Sequence, residues 1–187
     1  MKGIKQIAIV AVIILAAGTT LFGQKTKYSS FPAMPIDENT KLVTYKKVVP
    51  MDGKPEELYQ RALKWANTYY YNPLTVVKED KAAHKIKCVS NIKITTLAKD
   101  GVTPVLAGYV YYTLTIEARD NRYRYTITEL QQRETTNIPI EPWLDSTSKG
   151  WTVVRYDHLN QIHEAVTALM ASIEQGMQPE KVITDEW

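Results

Sequence analysis

The sequence predicts an α+β domain: an antiparallel sheet with two helices packed on one of its faces, in the order β-α-β-β-β-β-α. Three observations point there. Residues 54–70 and 157–176 repeat their apolar side chains at helical spacing. The stretches between them alternate apolar and polar residues and are rich in β-branched side chains. Short turns join those stretches, as antiparallel neighbours require, and strands grouped between two helices pack as one sheet under one helical layer.

The first strand is expected over residues 41–49 (KLVTYKKVV), ending in the turn Pro50-Met51-Asp52-Gly53. The first helix follows over residues 54–70. Pro55 suits the first helical position, and Glu56 and Glu57 complement the positive end of the helix dipole. Leu58, Ala62, Trp65, Ala66 and Tyr69 form its apolar stripe, and Asn72-Pro73 stops it. Residues 74–78 read as a short strand and 79–83 as a turn. In residues 84–94, Ile86, Cys88, Ile92 and Ile94 share one side of a strand, opposite Lys85, Lys87, Val89, Asn91 and Lys93.

Residues 108–130 (GYVYYTLTIEARDNRYRYTITEL) form the most informative stretch. Asp120-Asn121 is a two-residue hairpin loop that tolerates positive φ. That loop sets Ala118 opposite Tyr123, Ile116 opposite Tyr125 and Leu114 opposite Ile127. The other side pairs Arg119 with Arg122, Glu117 with Arg124, Thr115 with Thr126 and Thr113 with Thr128. Apolar and polar residues separate cleanly, which is how a burying face specifies register. The basic-aromatic run Arg122-Tyr123-Arg124-Tyr125 is therefore hairpin architecture, with its tyrosines inward and its arginines outward. The last helix, residues 157–176, carries the stripe Leu159, Ile162, Val166, Leu169 and Ile173 and stops at Gly176.

The ends set the compartment. Lys2 and Lys5 precede an apolar run over residues 7–18, the pattern of a secretory signal peptide. Cleavage after Gly18 or after Gly23 satisfies the small-residue rule. The apolar character persists through Leu21 and Phe22, which favours a signal over residues 1–23. The run is short of the about 20 apolar residues that span a bilayer, so contact with the membrane is expected only through this segment, if it stays uncleaved. No cysteine follows it for a lipid anchor. Residues 24–35 then read as a flexible leader, 36–176 as a single domain and 177–187 as a polar tail. Within the domain, residues 131–156 form a long loop that includes Trp143 and Trp151. Loops beyond about 12–15 residues are uncommon unless functional or locally structured.

Composition narrows the function classes. The chain has 23 basic and 20 acidic residues; Lys2 and Lys5 leave with the signal, so 21 face 20. That near-neutral balance and export oppose nucleic acid as a partner. The only cysteine, Cys88, excludes an internal disulfide and a cysteine-rich zinc site. His158 and His163, five apart on one helix, cannot share a face as metal ligands. No nucleophile elbow, phosphate loop or zinc-protease motif is present. The adjacent acids Asp37-Glu38, Glu56-Glu57 and Asp185-Glu186 are explained at least as well by turns and helix ends as by chemistry. No metal, no cofactor and no enzyme activity are expected.

The motifs PIDENTKLVTYKKVV, ELYQRALKW and the aromatic hairpin resemble a domain of unknown function with a TATA-binding-protein-like (TBP-like) fold, found in exported proteins of Gram-negative gut bacteria. The resemblance spans about residues 34–130, and residues 131–156 depart from it. It implies one curved antiparallel sheet backed by two helices, and it implies export. It brings no activity and no catalytic residues.

One constellation remains. Alternation gathers Lys85, Lys87 and Lys93 with Tyr109, Tyr111, Arg119, Arg122 and Arg124 on the outward sheet face, with Leu130 among them and threonines between. Tyrosine and arginine are enriched where proteins bind partners. The plain alternative is a solvated face, its tyrosines covered by the long loop through Trp143 or Trp151. The expected function is a non-enzymatic binding module for an envelope protein or glycan, in the periplasm or at the cell surface. It would use the sheet face or the Trp143–Trp151 loop. The alternatives are a hydrolase whose carboxylates converge only in the fold, and a self-associating structural domain.

Overall fold

The protein is described by a computed structural model covering residues 26–70, 76–133 and 135–179. The expected signal (1–23), the start of the second strand and the tail beyond 179 lie outside the described residues. The elements are β1 (Tyr45–Pro50), α1 (Pro55–Tyr69), β2 (Val76–Asp80), β3 (Lys85–Leu97), β4 (Pro104–Arg119), β5 (Arg122–Arg133), β6 (Asn137–Pro139), a 3-10 turn (Glu141–Leu144) and α2 (Val154–Gly176). The strands form one antiparallel sheet in the order β1-β5-β4-β3-β2, and β6 pairs with the far end of β5. Both helices pack on the same face.

The β4–β5 hairpin has the register that its sequence requires: Ala118 opposite Tyr123, Ile116 opposite Tyr125 and Glu117 opposite Arg124. Asn121 holds the turn at φ 54°, a conformation its short side chain tolerates. The turn is also anchored. Asn121 N–H donates to Gly53 O at 3.0 Å and its carbonyl accepts from Met51 N–H at 3.1 Å, which ties the hairpin tip to the turn before α1.

Two bulges then break the alternation. In β5, pairing passes from Thr113–Thr128 to Tyr111–Gln131, so one extra residue is inserted and Glu129 takes φ 56°. Side chains beyond it exchange faces. Leu130, expected outward, is instead buried in the core, and Gln132 points inward after it. In β4, pairing with β3 passes from Ile94–Gly108 to Thr95–Leu106. Gly108 sits there at φ 137°, a backbone conformation strained for any residue with a Cβ, and its missing side chain leaves room for the Gln132 amide. Bulges bend a strand and add local twist. Both lie toward the end of the sheet away from the β4–β5 turn, one opposite Tyr112 and the other at Ala107.

The core forms where the helical stripes meet Ile86, Cys88, Ile94, Leu114, Ile116, Tyr123, Tyr125 and Ile127. Leu159, Ile162, Val166, Leu169 and Ile173 of α2 are buried as expected, as are Leu58, Ala62, Trp65 and Ala66 of α1. Tyr69 differs: it is 41% exposed, while Tyr59 is buried in its place. Tyr59 leans over the sheet and donates its hydroxyl to Glu79 of β2 at 2.9 Å. Tyr69 is left at the helix end, stacked on Trp65 at 5.1 Å. The helices approach closely at Gly176, where a Cβ would stand 2.2 Å from Trp65 Cδ1.

The expected flexible leader is docked on α2. Asp157 accepts hydrogen bonds from the backbone N–H groups of Lys27 (3.0 Å) and Tyr28 (2.8 Å). Asn160 donates to Ser30 O at 3.0 Å, and Phe31 packs against Trp151 and Tyr156. Residues 131–156 are locally structured: they finish β5, form β6 and the 3-10 turn, and bury Ile140 and Trp143. The tail begins polar by composition, yet Met177 is fully buried under α1 and α2.

Candidate functional site: the outer sheet face

The face turned away from the helices is built in three cross-strand layers, because antiparallel register lines up residues of equal parity. At the hairpin end, Lys85 of β3, Glu117 of β4 and Arg124 of β5 stand in one row, with Arg119 and Arg122 beyond them. Glu117 lies 3.2 Å from Lys85 Nζ and is hydrogen-bonded by Arg124. Partial burial acts to raise its pKa, but the bonds from Arg124 and Lys85 hold it below the ordinary glutamate value. Glu117 is thus a fixed anion that orders two cations, while Arg119 and Arg122 have no acidic partner among the described residues. A shallow depression of about 210 Å³ lies here, lined by Val48, Glu117 and the three arginines.

The middle layers are threonines. Thr113, Thr115, Thr126 and Thr128 pair across β4 and β5, and Thr44 Oγ1 lies 2.9 Å from Thr128 Oγ1. The Thr113 hydroxyl donates to Glu129 Oε2 at 2.7 Å, so the bulge residue closes this row. These short side chains leave a low floor between bulkier ends.

The third layer lies near the bulges. Asn91, Tyr111 and Gln131 stand in one row, and Lys93 pairs with Tyr109. Arg133 places its guanidinium 4.0 Å from the centre of the Tyr111 ring, a cation–π contact. Tyr109 is 43% exposed, so nothing among the described residues covers it.

Eight of the sequence-picked surface residues therefore meet on one face: Lys85, Lys87, Lys93, Tyr109, Tyr111, Arg119, Arg122 and Arg124. Trp143 and Trp151 do not join them. Trp143 is buried against α2, with its ring centre 3.8 Å from the Arg155 guanidinium, and Trp151 Nε1 donates to the Trp143 carbonyl at 2.8 Å. The 131–156 segment packs on the helical side because its aromatic side chains find apolar neighbours in Phe31 and Tyr156 there. It is not a cover for the sheet face. Arg133 and Gln131 were hidden from the sequence by the inverted parity after Glu129. Lys46 was missed because its pairing with Thr126 joins strands remote in sequence.

Other candidate chemistry is structural in setting. Cys88 is fully buried, and burial pushes its thiol pKa up to about 12. The Tyr45 hydroxyl lies 2.8 Å from His163 Nδ1, and His84 Nε2 lies 3.4 Å from Glu56. No group of three or more His, Cys, Asp or Glu side chains is placed to hold a metal among the described residues. Asp37 caps its own turn through the N–H groups of Asn39 and Thr40, and Asp185-Glu186 lies outside the described residues.

Residues 45–133 match the family model for a domain of unknown function with TBP-like fold, DUF4468. Over this stretch, a little under half of the chain, the protein is similar to that family. A DUF4468 family protein from Bacteroides ovatus superposes with a TM-score of 0.63 at 14% identity, over 82% of this chain and 95% of that one. A TBP-like protein from Parabacteroides distasonis gives a TM-score of 0.61 at 17% identity, over 78% of this chain and 97% of that one. At such identities the likeness establishes the fold. A search of curated proteins finds no match. The DUF4468 match runs from β1 to the end of β5 and so contains all eight residues of the outer face, whereas Trp143, Trp151 and α2 lie beyond it.

Proposed function

We propose that this chain is an exported, non-enzymatic interaction module that binds an acidic segment of a partner protein across the outer face of its sheet. The observation behind this reading is the segregation of charge. The 23 basic and 20 acidic residues nearly cancel over the whole chain. Yet Lys87, Lys93, Arg119 and Arg122 share one face and have no acidic partner among the described residues. Like charges gathered without counter-ions destabilise a fold slightly and attract an oppositely charged partner. The layout suits a polypeptide: exposed Tyr109, beside half-buried Tyr111 under Arg133, offers apolar area at one end, arginines offer charge at the other, and the threonine floor gives a main chain room between them. Export rests on the basic-then-apolar start of the sequence.

The test uses a charge-reversed protein, Lys87→Glu with Arg119→Glu and Arg122→Glu. Arg124 is spared because reversing it would set a second anion beside Glu117. Binding of a glutamate-rich peptide, an anionic polysaccharide and a DNA duplex is measured by fluorescence anisotropy at two salt concentrations. The reading expects the peptide to bind best, with affinity falling at least about tenfold in the variant and in high salt. Binding unchanged by charge reversal, or a clear preference for the polysaccharide or the duplex, sinks it. Crosslinking in cells that make the protein then identifies the natural partner.

A further inference from the structure

The end of the sheet away from the β4–β5 turn carries an apolar surface of its own. Residues 102–106 (VTPVL), which lead from the β3–β4 turn into β4, are all exposed. Val102 is 77% and Leu106 56% exposed, and Val105 joins them. Val153, just before α2, is exposed too, and its neighbours Thr152 and Val154 line one depression with Thr96 and Ala107. Four of the eight large apolar side chains that are exposed among the described residues therefore gather at this end. Apolar residues exposed singly need no explanation, whereas a cluster marks a contact surface.

The tip is a formed turn. Asp100 accepts from the N–H groups of Val102 and Thr103, each at 2.9 Å. Ala98 N–H donates to Thr103 O at 2.8 Å, and Gly101 takes φ 71°. Asp100 is the only acidic residue between Leu97 and Ala107, and these bonds turn its carboxylate back on its own loop. From Pro104 to Leu106, β4 has β3 alone as a strand partner among the described residues. A proline on such an open edge discourages pairing with a strand of another protein. The tip thus offers apolar side chains rather than backbone.

The leader indicates what the tip meets. Lys27 and Tyr28 form one wall of a depression whose other wall includes Leu97, Gly101 and Val102, and Asp157 holds both leader N–H groups in place. The chain preceding Lys27 therefore starts from beside the tip. It leads back to the apolar run over residues 7–18, and the nine residue steps from Gly18 to Lys27 reach at most about 32 Å. While that run lies in a bilayer, the tip is within reach of the same surface. Exposed Lys27 and Lys99 bring positive charge to this end, which suits anionic headgroups.

We propose that the β3–β4 tip is a bilayer-contact surface, on which Val102, Val105 and Leu106 enter the headgroup layer of an anionic lipid membrane. β4 is 16 residues long, so it holds Arg119 up to about 50 Å from the lipid, with the arginine end of the outer face open to a partner. The inference stands apart from the sheet-face reading, to which none of the three tip residues belongs.

The test uses the protein purified from the envelope of cells that make it, with Cys88→Ala and a single cysteine for a polarity-sensitive fluorophore. One protein carries the fluorophore through Val105→Cys, another through Asp120→Cys at the opposite end of β4. Each is mixed with vesicles of phosphatidylethanolamine and phosphatidylglycerol containing brominated lipid. A blue shift and quenching at position 105, with neither at position 120, are expected. Adding Val102→Thr and Leu106→Thr, both at exposed positions, should remove most of the quenching at 105 while the far-ultraviolet circular dichroism stays unchanged. Quenching at neither position, at both alike, or at 120 alone overturns the proposal, and so does quenching at 105 that survives the double substitution. A blue shift at 105 that needs no vesicles and grows with protein concentration would put a second copy on the tip and overturn it as well.

Discussion

Replacing Leu130 by alanine separates two descriptions of β5. With unbroken alternation Leu130 stands among Arg124, Thr126 and Thr128 on the outer face, where truncating it changes stability by no more than about 0.5 kcal/mol. With the bulge at Glu129, Leu130 is 1% exposed. The substitution then removes three buried carbons, worth about 2.4 kcal/mol at about 0.8 each. The cavity left behind adds to that, since a close-packed core relaxes only in part. We expect a loss of about 3 kcal/mol, or a fall in Tm of about 6–12 °C for a domain of this size. Urea unfolding monitored by circular dichroism measures it, with an unchanged m-value showing that the compactness of the two end states is preserved. A change below about 0.5 kcal/mol would refute both the bulge and the inward turn of Gln132.

The other predictions test separate parts of the molecule. Glu129→Val forces a β-branched side chain into the left-handed region at φ 56° and should cost about 1–3 kcal/mol in the same assay. Glu174 accepts from Lys47 and from the buried Tyr125 hydroxyl, bonds that hold its pKa below the ordinary glutamate value. Because the folded pKa is depressed, the stabilisation is present above about pH 4.5 and is lost as pH falls through the folded value. Glu174 is one-third exposed, so Glu174→Gln should cost only about 1 kcal/mol at pH 7, and the deficit should shrink in acid. A deficit that grows in acid contradicts this. Cys88, with its thiol pKa pushed up to about 12, should resist a thiol reagent at pH 8 until the protein is unfolded; rapid labelling of native protein would place it outside the core. Asp157→Ala removes the acceptor of two backbone N–H groups, so trypsin should cut after Lys27 much faster than in the wild type, with a stability loss of about 1–3 kcal/mol. Equal cleavage rates would mean that the contacts of Ser30 and Phe31 hold the leader without the Asp157 bonds.

The sequence by itself determined the elements that depend on short-range periodicity. Both helical stripes, the burial of Ile86, Cys88 and Ile94, and the hairpin pairing from Arg119–Arg122 to Thr113–Thr128 follow from side-chain alternation and one two-residue turn. A face that must be buried permits a single register. The eight outer-face residues were legible for the same reason, since whatever is not inward on such a strand is outward. That rule failed at the bulge. Glu129 carries no local mark of a left-handed conformation, which glycine or asparagine would have supplied. One inserted residue sent Leu130 to the core and brought Gln131 and Arg133 to the surface. Tyr59 and Tyr69 exchanged roles because Glu79, on another strand, offered Tyr59 a hydrogen bond. Trp143 and Trp151 were placed by the packing of a long segment against α2 and the leader. The apolar end at Val102 and Leu106 needed three remote segments to converge. These are contacts between residues far apart in the chain, and only the closed tertiary structure sets the distances between them.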